Sequence, residues 1–111
     1  MNRDQAWALL NEYTKSESLL KHAIAVEASM RHYAKKLNMD IEQWGTTGLL
    51  HDFDYERWPD IPSHTQEGAK ILREHKVEQE MVEAILSHAE WNQSDYPLDR
   101  PIRKALFAVD E

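Results

Sequence analysis

Apolar positions recur with a helical period along almost the whole chain. Ala6, Leu9, Leu10 and Tyr13 share one side of a first predicted helix, from about Arg3 to Tyr13. Thr14 to Ser16 interrupts the pattern and offers an N-cap. A longer stripe follows, Leu19, Ala23, Val26, Met30, Tyr33 and Leu37, and predicts a second helix from about Glu17 to Leu37. Asp40 and Gln43 have capping-box spacing and open a third helix through about His51. FDYERWPDIP, residues 53–62, holds two prolines and reads as a loop. Ser63 with Gln66 repeats the capping-box spacing and starts a fourth helix to about His75. Met81, Val82, Ile85 and Leu86 mark a fifth, over residues 78–90. After the loop NQSDYPLDR, Pro101 suits the first turn of a sixth helix. That helix meets no stop signal, so it is expected to continue, with at least one more helix after it. Hairpin signals are missing. The expected fold is all-α, a compact bundle of five to six helices in one domain, residues 1–111.

Composition narrows the chemistry. There are no cysteines, which excludes disulfides, thiolate metal sites and cysteine nucleophiles. Thirteen basic against twenty acidic residues leave a net charge of −7, a poor match for a nucleic-acid polymer. The mean hydropathy is −0.72, and no apolar run approaches the ~20 residues of a membrane span. MNRDQAWALL lacks the basic and apolar regions of a signal peptide, so a soluble cytoplasmic protein with no membrane partner is expected. Six histidines stand out.

Helical phase shows where those histidines point. Leu19, Val26 and Met30 lie at −3, +4 and +8 from His22, which therefore faces inward. Trp44 and Gly48 place His51 on a core side, with Asp52 following at the helix end. Gly68, Ile71 and Leu72 do the same for His64, Met81 and Ile85 for His88, and Ile102 and Leu106 for Asp110. His32, among Arg31, Lys35 and Lys36, belongs to a solvated face, and His75 closes its helix as a C-terminal dipole partner. One inward histidine is most often a core residue bonded to a backbone carbonyl. Four imidazoles and two carboxylates aimed into one small core are different, because they carry heavy desolvation costs unless something shared satisfies them. One or two divalent ions would do so, and this donor set suits Fe, Mn, Co, Ni or Zn.

His22, the pair His51-Asp52 and Asp110 resemble the H…HD…D signature of the HD superfamily of metal-dependent phosphohydrolases. His64 in HTQEGAKIL and His88 in AILSHAEW resemble the two extra histidines of its dinuclear branch. SLLKHAIAVE, GLLHDFD and KALFAVDE also read like HD-domain segments, so the resemblance covers about residues 18–110. It is nearest to small stand-alone bacterial proteins of the HDIG type. The HDIGK form of the motif has Gly and Lys where Asp54 and Tyr55 stand here, so no lysine-assisted chemistry carries over.

The resemblance implies that His22, His51, Asp52 and Asp110 hold one ion, and that Asp52 bridges to a second held by His64 and His88. It implies hydrolysis of a nucleotide or small phosphate ester, with a metal-activated hydroxide as nucleophile. Asp54 and Glu56, just past the motif, are candidates to orient ligands or carry protons alongside Asp52; solvated loop acids are the competing reading. Arg57 is a candidate phosphate anchor against a plain surface arginine, and Trp58 and Trp91 are candidate base-stacking residues against core cover. Two other functions stay open: a mixed-valence di-iron oxygenase, and a non-catalytic module binding a phosphorylated ligand. The substrate, native metal and oligomeric state are not legible in the sequence.

Overall fold

A computed structural model describes residues 1–61 and 63–110. Six α-helices follow one another: α1 (Arg3–Tyr13), α2 (Glu17–Lys36), α3 (Ile41–Leu50), α4 (Ser63–Glu74), α5 (Gln79–Ser87) and α6 (Pro101–Val109). A short 3₁₀ turn, Glu90–Asn92, follows α5, and there is no strand among the described residues. The all-α expectation is met. The expected continuation of α6 lies outside the described residues.

The helix starts follow the predicted caps. Asn2 and Gln5 make a reciprocal capping box for α1, and Ser16 caps α2. The Asp40 side chain accepts from the Gln43 backbone N–H at 3.0 Å. Gln43 does not complete that box, because its amide donates to Glu78 at 3.4 Å instead. Pro101 occupies the first turn of α6, where a missing N–H costs nothing.

α3 is the axis of the molecule. Every residue from Trp44 to Leu50 is buried, as expected of a short helix packed on several sides. It contacts α1, α2 and α5, most extensively α2. The α2–α3 approach is close at Gly48, where a Cβ would meet Met30 Cγ at 2.9 Å and the Val26 carbonyl oxygen at 3.0 Å. Two apolar clusters result. One joins α1, α3, α4 and α5 through Leu10, Leu49, Leu72 and Ile85; the other joins α2, α3, α5 and α6 through Met30, Trp44, Ala84 and Leu106.

Three expectations need correction. The α2 stripe ends differently: Ala34 is buried, whereas Tyr33 and Leu37 are exposed. Four residues beyond Met30 the helical period returns to Ala34, not Tyr33. The fifth helix stops at Ser87 rather than continuing to 90. The Ser63–Gln66 capping box is not what starts the fourth helix. His64 is extended, Thr65 has φ 71°, and the helix proper begins after them. The Thr65 and Gly68 N–H groups donate instead to Asp54 Oδ2, at 2.7 and 3.0 Å. A β-branched residue at positive φ costs on the order of 1–3 kcal/mol and needs surroundings that hold it there.

Candidate metal centre

Five helices bring six side chains together. His22 projects from the middle of α2. His51, His88 and Asp110 are the C-cap residues of α3, α5 and α6. Asp52 follows His51, and His64 stands at the kink in the first turn of α4. Three helix C-termini, each with partial negative charge, therefore face one small volume, which favours a cation there.

The donors form two groups with Asp52 in common: His22, His51, Asp52 and Asp110, and Asp52, His64 and His88, with the ligand atoms of each group within 4.8 Å of one another. His22 Nε2 and His51 Nε2 lie 3.0 and 2.9 Å from Asp110 Oδ1. His51 Nε2 is also 3.3 Å from Asp52 Oδ2. His64 Nε2 and His88 Nε2 lie 3.2 and 3.1 Å from Asp52 Oδ1.

The opposite ring nitrogens fix the tautomers. His51 Nδ1–H donates to the Gly48 carbonyl at 2.7 Å, and His88 Nδ1–H donates to the Ile85 carbonyl. Both carbonyls belong to the last turn of the residue's own helix, a geometry that a C-cap position makes available. His64 Nδ1–H donates to the Asp54 carboxylate at 2.9 Å. Carbonyl and carboxylate oxygens only accept, so Nδ1 must carry the proton in all three. Each neutral ring then turns an Nε2 lone pair toward a carboxylate lone pair. Such a meeting is repulsive unless a proton or a cation stands between.

In the metal-free protein protons take that place at His51 and His64. Burial pulls the His51 pKa down, but hydrogen bonds to Asp110 and Asp52 outweigh it and raise it to about 10. Burial likewise works against His64, which Asp52 and Asp54 carry to about 9. Asp52 is pushed up by burial but held well below the ordinary carboxylate range by His51, His64 and His88. Asp110 is depressed in the same way, mainly by His51. A divalent ion would replace these protons and meet imidazole and carboxylate donors with their outer partners already in place. The residues fit a transition metal.

Other expected residues fall elsewhere. Asp54 is no solvated loop acid: it is 1 % exposed and spends its oxygens on His64 and the start of α4. Glu56 is exposed and faces the α1–α2 junction, where it accepts from the Lys15 and Ser16 N–H groups at 2.9 and 2.8 Å; those bonds lower its pKa. The Arg57 guanidinium lies 4.5 Å from the centre of the Tyr13 ring, with Trp58 on the same aromatic cluster. Trp91 is exposed and stands 5.9 Å from the His64 ring, and exposed Tyr55 stands 5.3 Å from it. His32 and His75 are exposed and belong to neither donor group. Sequence reasoning missed Asn92, which is buried and donates to Thr65 Oγ1 at 2.8 Å and to the Leu86 carbonyl at 3.0 Å. Only its position in a polar loop beside His88 hinted at it.

No curated protein and no solved structure matches the chain. The family described as HD domain matches residues 19–109, a span that includes every cluster residue except Asp110. Members of that family are typically metal-dependent phosphohydrolases. The match spans most of the sequence, and the fold and the histidine–aspartate cluster agree with it: the chain belongs to the HD domain family.

Proposed function

We propose that this protein is a metal-dependent phosphohydrolase that cleaves a nucleotide or small phosphate ester at the histidine–aspartate cluster. The observation that carries the reading is the sharing of Asp52 between two donor groups. A carboxylate presenting one oxygen toward His51 and the other toward His64 and His88 is placed to bridge two ions. Two divalent ions held by these residues would set four positive charges against two carboxylates and would supply Lewis-acid chemistry, drawing a phosphate and acidifying a water. Asp110 and Asp52 supply charge, and the imidazoles supply neutral donors whose orientation the Nδ1–H bonds hold. No such attraction comes from the protein as a whole, whose net charge is −7.

Elemental analysis of the purified protein, with a hydrolysis panel of phosphomonoesters and nucleotides, tests the proposal. Close to two transition-metal ions per chain and a chelator-sensitive release of phosphate are expected. A chain that takes up no such metal, or a product that forms only with O₂, would overturn it.

A further inference from the structure

Asp54 is a buried carboxylate with a full set of partners. Its Oδ1 accepts from His64 Nδ1–H, and its Oδ2 accepts from the Thr65 and Gly68 backbone N–H groups. Room for it exists because residue 68 is glycine: a Cβ there would stand 2.6 Å from Asp54 Oδ2. Thr65, fully buried at φ 71°, is held from the other side by Asn92, whose amide bonds both its hydroxyl and the Leu86 carbonyl. These contacts tie the turn after α3, the start of α4 and the turn after α5 into one latch around His64. No helix period sets the direction of that ring.

We propose that Asp54, supported by Thr65 and Asn92, is the positioning residue that gives the Asp52–His64–His88 group its affinity for an ion. The inference rests on the two-ion reading above. His51 and His88 are oriented by carbonyls of their own helices, so only His64 depends on a side chain for its tautomer. An asparagine at 54 can present oxygen on one side only. The Thr65 and Gly68 N–H groups require that oxygen, so the amide NH₂ faces His64 Nδ1. His64 Nδ1 must then accept, its proton moves to Nε2, and the lone pair meant for the ion is lost. The helix start keeps its cap meanwhile.

The test titrates Zn²⁺ into metal-free wild type and D54N by calorimetry, with stoichiometry checked by elemental analysis. Wild type is expected to bind two ions. D54N should keep the first with unchanged affinity and bind the second about 10–100-fold more weakly, the usual effect of losing an outer partner of a ligating histidine. A purely structural role would lower the urea midpoint without separating the two affinities. If D54N does not fold, Thr65→Val decides, since it leaves every Asp54 bond in place and removes only one of the two acceptors of the Asn92 amide. Its second affinity should fall about tenfold, at the low end of the same range. Wild-type affinities for both ions in D54N, or in Thr65→Val where D54N does not fold, overturn the inference and leave the proposed function standing. A wild type that binds fewer than two ions overturns both.

Discussion

The two halves of the donor cluster are built differently. Around Asp110, His22 rides on the longest helix, and His51 and Asp110 cap α3 and α6. Helix register places all three, and α2, α3 and α6 pack firmly through Val26, Met30, Trp44 and Leu106. Around His64 the backbone leaves helical geometry, and a buried carboxylate, a strained threonine and an asparagine take over. The first half therefore depends on the packing of the bundle, and the second on a few specific hydrogen bonds. Damage to packing should weaken the whole protein evenly, whereas damage to the latch should separate the two ions.

Asp52 joins the halves, so Asp52→Ala should abolish the distinction. Both ions should be lost and hydrolysis should fall by roughly three orders of magnitude or more, the rate equivalent of several kcal/mol of Lewis-acid stabilisation. Metal analysis and phosphate release check this; a variant that retains both ions would show that Asp52 is not shared. The double variant His64→Ala with His88→Ala addresses one half alone. It should stay folded and bind one ion instead of two. Metal content unchanged from wild type would show that His64 and His88 hold no ion.

Proton occupancy gives a third handle. With folded-state pKa values near 10 and 9 against 6.5 unfolded, His51 and His64 contribute stability that is whole below pH 6.5. That contribution fades as pH rises through 9 and then 10. Asp52 and Asp110, depressed from 3.8, contribute above that pH and lose their share as pH falls below it. The chelated protein should thus resist urea best between about pH 4 and 6.5 and weaken steadily toward pH 10. Metal affinity should run the other way from pH 6 to 8, because protons compete with ions for the same Nε2 atoms. Parallel trends in the two experiments would mean that these rings are not the ligands.

Gly48→Ala probes the packed half. Its Cβ would press on Met30 and on the α2 backbone, outweighing the helix-propensity gain of about 1 kcal/mol and leaving a net loss of about 1–2 kcal/mol. The urea midpoint should drop while stoichiometry stays at two ions; loss of one ion alone would erase the contrast between the halves. The smallest change belongs to His32→Ala and His75→Ala. Both residues are exposed, so metal content should not change and stability should shift by no more than about 0.5 kcal/mol. Lost metal in either variant would mean a misassigned donor set.

Much of the packed half was legible along the chain. The helical period located α1 and α2 closely, and the phase arguments for His22, His51, His88 and Asp110 agree with where those side chains lie. The phase argument for His64 reached the right neighbourhood for the wrong reason, because that residue is not helical. Nothing local announces a threonine at positive φ, since Thr65 alone disfavours that conformation. Asp54 looked equally at home in water, because an acid in a polar loop carries no mark of burial.

Helical period, capping residues and the absence of cysteine are local or compositional properties. They were enough for an all-α bundle and for a donor set of imidazole and carboxylate, because an α-helix repeats its own geometry every few residues. The meeting of His22 with Asp110, 88 positions apart, and of Asp52 with His88, 36 apart, belongs to the tertiary structure. So does the latch, which exists only when Asp54, Thr65, Gly68 and Asn92 from three segments are already in contact. A strained backbone is kept only where surrounding bonds outweigh its cost, and those bonds form only when the helices have packed.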